Sequence, residues 1–326
     1  MADYRRERVT LARLPSGVAV ETTVHVYGSG DPVVYAQAAQ HGREINGAAV
    51  LRRLHDDLVD APFDGTLVAV PVADPLTFDF VSYTTPEAYD SVNANMNRCW
   101  PGDPDGTLHE RMAAALWEYA GDADFIVDLH TGSRDMLTHT VYLKGDEASR
   151  GLAEAFGTDL LLAEPAGEDA DEEWEQRSFG GKLRVAATRE GIPSITPELA
   201  HNKELVEDAI DAGVSGLRRV LRHTGVLAAD ADGAPESVPP WDGVRARNHL
   251  GRVKAADSGL FRAADGLEIG DEVSDGDVVG EVFDPTTYET LQEATADRAG
   301  VVYSVTREAT VTAGETLVGV ALRLDD

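Results

Sequence analysis

Six side chains in this sequence have the types and spacing to do chemistry together: His41, Glu44, Asn97, Arg98, His130 and Glu198. His41 and Glu44 lie in Gln40-His41-Gly42-Arg43-Glu44-Ile45-Asn46-Gly47, where a turn opening a helix can aim both at one ion. His130 stands in Asp128-Leu129-His130-Thr131-Gly132, and Glu198 in Thr196-Pro197-Glu198-Leu199. Two imidazoles and a carboxylate suit a catalytic zinc, which takes three protein ligands and keeps a position for water. Zinc brings the pKa of its water toward about 7. A further carboxylate, Glu198, could take that proton and pass it to a leaving amine. Asn97 and Arg98, in Asn95-Met96-Asn97-Arg98-Cys99-Trp100-Pro101-Gly102, could grip a carboxylate, the arginine through a bidentate charge-assisted fork. Each piece alone has a bland reading: a surface-turn histidine, a strand-end histidine, a loop arginine paired with a local acid. Their combination in chain order carries the expectation of one zinc per chain.

The elements around these residues should be strands followed by helices. Val33 to Ala36, Leu67 to Val72, Phe125 to Val127, Val141 to Leu143 and Ile192 to Leu199 read as buried strands. Ala48, Leu51, Leu54 and Leu58 recur at helical spacing, as do Met112, Ala115, Leu116 and Tyr119; residues 205 to 221 read as a long helix. Such alternation predicts an α/β fold with a mixed, largely parallel sheet flanked by helices. Each motif would then sit at the carboxyl end of a strand, where ligands bind in open α/β sheets. Residues 228–241 carry Gly233, Pro235, Pro239 and Pro240 and read as a linker. Residues 1–227 would form the catalytic domain. Residues 242–326, with short apolar runs between glycines, would form a smaller all-β barrel or sandwich.

Composition narrows the partners. The formal net charge is −30, with 58 acidic residues spread along the chain. That excludes nucleic acid and anionic membrane surfaces, which need clustered Lys and Arg. Lysine occurs at only four positions, Lys144, Lys182, Lys203 and Lys254. A lysine-poor, uniformly acidic chain fits a halophilic source, where salt screens self-repulsion. The single cysteine, Cys99, excludes an internal disulfide and reads as packing. No apolar leader or membrane-length run is visible, so a cytoplasmic protein is expected, with a homo-oligomer left open. The acidic run Glu168 to Glu175 reads as a solvated loop. His109 and His139 read as structural or exposed, and His201 as exposed or, alternatively, a pocket residue. Asp128, on the same side of its strand as His130, would either orient that imidazole or cap a turn.

Taken together, the four motifs resemble the succinylglutamate desuccinylase/aspartoacylase family, relatives of the zinc carboxypeptidases. The resemblance runs from about Val18 to Leu199 and extends to the β-rich tail. It implies a zinc carboxypeptidase-like catalytic domain and a β domain partly covering the active site. It further implies zinc on His41, Glu44 and His130, with Glu198 as general base and proton shuttle. Asn97 and Arg98 would bind the substrate's carboxylate. The implied reaction is hydrolysis of an N-acyl amino acid, of N-acetyl or N-succinyl type. One departure stands out. The family expects an arginine shortly before the Asn-Arg pair to stabilise the oxyanion, and residues 78–96 contain none. Arg184, Arg189 or Arg43 would have to substitute. A carboxypeptidase acting on short peptides is the alternative reading, and a non-catalytic metal-dependent binding protein a third. Lys254 lies outside the hairpin that a biotinyl or lipoyl carrier modifies, which excludes a carrier role.

Overall fold

The computed structural model describes residues 3–132, 134–165, 178–227 and 241–324. The acidic run Glu168 to Glu175 and residues 228–240 of the expected linker lie outside them.

The chain opens with a hairpin that the sequence reading did not anticipate. Strands β1 (Tyr4–Arg13) and β2 (Ala19–Gly28) pair antiparallel. Strand β3 (Val33–Ala38), helix α1 (Asn46–Leu58) and strand β4 (Thr66–Val70) follow. A short helix α2 (Pro75–Asp79) leads by a loop to a 3-10 turn, Met96–Arg98. Next come α3 (Leu108–Ala120), β5 (Phe125–Gly132), β6 (Asp135–Met136), β7 (His139–Leu143), α4 (Glu147–Phe156) and β8 (Leu160–Glu164). Helix α5 (Leu183–Arg189), β9 (Ser194–His201) and α6 (Glu207–His223) complete this part. The remaining strands are β10 (Val244–Lys254), β11 (Gly259–Ala263), β12 (Glu272–Val273), β13 (Val278–Phe283), β14 (Thr290–Thr295), β15 (Gly300–Val305), β16 (Thr310–Val311) and β17 (Thr316–Arg323).

These strands make a large mixed sheet in the order β1-β2-β4-β3-β5-β9-β7-β8-β10-β17-β15-β12. Pairing is parallel for β3 with β4 and β5, β5 with β9, and β8 with β7 and β10. It is antiparallel at both ends and between β7 and β9. The sheet is mixed, as expected, with its parallel pairings gathered near the centre.

The period-2 alternation of a strand explains the layering. Val34 and Ala36 of β3, with Leu67 and Ala69 of β4, join a core under α1, α4 and α6 that includes Leu54, Phe156 and Leu217. Tyr35, Val68 and Val70, pointing the other way, join a second core with Met112 and Leu116 of α3 and Leu183 of α5. Helices therefore cover both faces.

Strands β14-β13-β11-β16 form a second sheet. Its Phe261, Val279 and Val282 share one apolar cluster with Val302, Leu317 and Val320 of the large sheet. The tail strands meet the rest by backbone pairing of β10 with β8 and of β15 with β6. Among the described residues, no helix is long and apolar enough to cross a membrane.

Candidate active site

His41 and Glu44 occupy the turn between β3 and α1, closed by a hydrogen bond from the Glu44 amide to the His41 carbonyl (2.9 Å). Gly42 is required there by close approach: a Cβ would lie 1.9 Å from the Thr77 carbonyl oxygen. Asn46 of the same motif ties the turn to β9. Its Nδ2 donates to the carbonyls of Leu199 (2.8 Å) and His201 (3.2 Å), and its Oδ1 accepts from the Val206 amide (3.0 Å). The expected strand termini are corrected by a few residues: β5 and β9 run on past His130 and Glu198. The two residues face each other as register partners in the parallel β5–β9 pair.

Donor atoms of His41, Glu44 and His130 lie within 4.8 Å of one another, and all three residues are buried. Each imidazole has one nitrogen engaged from behind. His41 Nδ1 lies 2.8 Å from the Tyr83 carbonyl, so it donates there and leaves Nε2 for a ligand. The Tyr83 ring stacks on His41 with centroids 3.9 Å apart. His130 Nε2 lies 2.9 Å from Asp128 Oδ2, and His130 Nδ1 lies 2.9 Å from Glu44 Oε2. Of the two roles open for Asp128, the geometry supports orienting His130. Gln37 Nε2 in turn donates to Asp128 Oδ1 (2.9 Å), and Tyr35 donates to Gln37 Oε1 (2.9 Å). Gln40, held by the Trp100 indole, also approaches His130 Nε2 (3.2 Å).

The electrostatics fit a cation at this point. Burial pushes His41 down, so it is a neutral imidazole suited to ligation. Burial would also depress His130, but Asp128 and Glu44 outweigh it and hold it well above the ordinary value. The two buried carboxylates demand positive charge there, which a proton on His130 supplies in part. A divalent ion coordinated by two nitrogens and an oxygen satisfies that demand.

Glu198 faces the same cavity, which has a volume of about 420 Å³. Desolvation raises its carboxyl to about 7, with His130 opposing and Glu44 adding to the rise. Asn97 and Arg98 also line this cavity. Asn97 Oδ1 accepts from the Leu183 amide (3.2 Å), which leaves Nδ2 facing inward, 3.5 Å from His130 Nε2. Arg98 lies over the Phe179 ring at 4.8 Å and donates to the Asn97 carbonyl (2.6 Å). Gly181 makes this possible sterically, since a Cβ there would meet the Arg98 carbonyl oxygen at 2.1 Å.

Of the arginines considered for the oxyanion, Arg184 lines the cavity. It is buried, donates to Thr196 Oγ1 (2.9 Å) and pairs with Glu164, while burial lowers it to about 10. Arg189 is exposed and donates to Gly180 (3.0 Å); Arg43 lies 5.1 Å from the Tyr83 ring centroid. Sequence reasoning missed Tyr83, Glu164, Lys182 and Arg252, which also line the cavity. Only Lys182 carried a signal, as one of four lysines in an acidic chain; it pairs with Glu164 at 2.8 Å. His109 and His139 are buried, and His201 is partly buried, 3.0 Å from Glu204. A larger groove of about 820 Å³ between β1 and α3 is lined chiefly by apolar groups such as Leu11, Leu108 and Trp117.

The chain is 27% identical over 315 residues to N-alpha-acetyl-L-2,4-diaminobutyric acid deacetylase of Halomonas elongata, covering 93% of this chain and 86% of that protein. A succinylglutamate desuccinylase/aspartoacylase from Rhodobacter sphaeroides superposes with a TM-score of 0.78 at 25% identity, covering 100% of this chain and 96% of that one. The product-bound ectoine utilization protein EutE (DoeB) of Ruegeria pomeroyi shares the fold, with a TM-score of 0.82 at 23% identity and 98% and 95% coverage. The succinylglutamate desuccinylase/aspartoacylase catalytic domain matches residues 31–224, a span containing all six candidate side chains, and the chain belongs to that family.

Proposed function

We propose that this protein is a zinc-dependent deacylase that hydrolyses the amide of an N-acyl amino acid to a carboxylate and a free amine. One observation carries the reading: the convergent donors of His41, Glu44 and His130 share a cavity with the carboxyl of Glu198. The name of the Halomonas elongata relative, a deacetylase of an N-acetyl diamino acid, supports an N-acetyl substrate. An N-succinyl substrate remains the variant reading.

Zinc on His41, Glu44 and His130 would supply Lewis-acid polarisation of the acyl carbonyl and acidify water in the cavity. The chain's own groups do the rest. Asp128 and the Tyr83 carbonyl fix the orientation of the two imidazoles. Arg98 and the Asn97 amide hold the substrate's carboxylate and set its acyl carbon in register. Glu198, raised to about 7, takes a proton from the attacking water and delivers it to the departing nitrogen. Of Arg184, Arg189 and Arg43, only Arg184 lines the cavity, which supports it as the donor that offsets charge on the acyl oxygen.

A carboxypeptidase acting on short peptides would use the same donors. The tail weighs against it. Arg252 of β10 lines the cavity, and β15 pairs with β6 just beyond His130. Residues 242–326 are thus proposed as a β domain, of barrel or sandwich form, that partly covers the site. The acidity of the chain supports work in high salt.

The test uses purified protein with N-acetyl amino acids, N-succinyl amino acids and dipeptides. Amine release from the N-acyl compounds, abolished by a chelator and restored by zinc, is expected. Glu198→Gln should keep zinc and lose about 10²–10⁴ in kcat. Full activity in that variant, or faster cleavage of dipeptides, would overturn the reading.

A further inference from the structure

We infer that His109, which lies outside the cavity, is a positioning residue that sets the active-site loop through Tyr83. Loop 80–95 joins α2 to the 3-10 turn of Asn97 and Arg98. It delivers Tyr83, whose ring and carbonyl both hold His41. The loop has few ways to pack itself. Phe80, Val81, Tyr89 and Val92 are exposed, so apolar burial contributes little to fixing its course.

Polar contacts under the loop supply what packing does not. His109, in the first turn of α3, is fully buried. Its Nδ1 lies 3.0 Å from Asp90 Oδ2, and its Nε2 lies 2.9 Å from Thr85 Oγ1 and 3.3 Å from Asp74 Oδ2. Asp74 and Asp90 are themselves buried. Asp74 Oδ1 caps α2 by accepting from the Leu76 and Thr77 amides (3.0 and 3.2 Å). Asp90 Oδ1 accepts from the Val92 and Asn93 amides (2.9 and 2.8 Å). One imidazole therefore joins the start of α2, two points of the loop and the start of α3.

The charge balance makes that junction hard to replace. Two carboxylates out of water need a positive partner. Burial alone would lower His109, but Asp74 and Asp90 outweigh it and raise its pKa. As an imidazolium, His109 donates from both nitrogens. A neutral substitute would leave two buried acids facing each other with fewer donors. The loop would then shift, and with it the tyrosine that stacks on His41. This inference rests on the proposed metal site.

Zinc-loaded protein is mixed with excess chelating dye and zinc transfer is timed, alongside kcat, KM and Tm. His109→Gln should release zinc about tenfold faster, as removal of groups orienting a metal ligand does. Tyr83→Leu removes the ring and keeps the carbonyl on His41, so it should speed release as well. Leu152→Ala, on the buried face of α4, should lower Tm and leave zinc release unchanged. Wild-type release from folded His109→Gln would overturn the inference. Should His109→Gln fail to fold, Thr85→Val removes one contact only and must still speed release; unchanged release would be equally contrary. Wild-type protein that takes up no zinc would overturn the metal reading and this inference with it.

Discussion

Asp128→Asn removes one negative charge and almost no volume. Asp128 is buried, and its Oδ2 lies 2.9 Å from His130 Nε2 while its Oδ1 accepts from Gln37 (2.9 Å). In the variant, the amide oxygen can keep the Gln37 donor. Its NH₂ must then face His130 Nε2, donor against donor. The ring can escape only by moving its proton to Nδ1, the nitrogen that faces Glu44. That protonates the nitrogen needed for the metal. A lost charge-assisted hydrogen bond in a buried site is worth about 1.5–3 kcal/mol. At about 1.4 kcal/mol per factor of ten, zinc affinity should fall by roughly 10- to 150-fold. Competition between protein and a chelating dye at pH 7 measures this directly. A variant that holds zinc as tightly as wild type would refute the orienting role of Asp128. It would also reopen the assignment of His130 Nδ1 as the ligand atom.

Three further outcomes follow from particular contacts. Arg98→Ala should raise KM for N-acyl amino acids by about 10- to 100-fold, since a charge-assisted fork to the substrate's carboxylate is lost; a substrate amidated at that carboxylate should show no such difference, and equal effects on both substrates would be contrary. Burial pushes the Cys99 thiol up to about 12, so native protein at pH 8 should not react with a thiol reagent while denatured protein shows one thiol; fast labelling of the native chain would contradict its packing role. His109 is raised by Asp74 and Asp90, so the stability it contributes is complete below its ordinary value near 6.5 and fades as pH rises through the folded-state value. Denaturant unfolding should show the gap between wild type and His109→Gln shrinking in alkaline buffer; a gap that widens there would be contrary.

Local features of the site were legible and distant ones were not. His41 and Glu44 are neighbours in the chain, so one turn brings them together whatever the rest of the fold does. The pairing of His130 with Glu198 depends on β5 lying beside β9, which periodicity cannot reveal. Buried strands such as β4 and β5 stood out as apolar runs. The β1–β2 hairpin did not, because β1 opens on exposed Arg5, Arg6, Glu7 and Arg8. The alternation of Val20, Thr22, Val24 and Val26 in β2 held the missing signal. The tail's β character was legible from its glycine-spaced runs. Its backbone pairing with β8 was not, since peptide groups pair without a side-chain signature. Tyr83 and Arg252 reach the cavity from segments whose sequence gives no hint of His41 or Glu198.

Zinc-edge anomalous diffraction from crystals of the zinc-loaded protein tests the metal assignment itself. One peak per chain is predicted, at roughly 2.0–2.2 Å from a nitrogen of His41, a nitrogen of His130 and an oxygen of Glu44, with Glu198 outside the coordination shell. A peak elsewhere, a fourth protein ligand closing the site, or no peak from stoichiometrically loaded protein would contradict it.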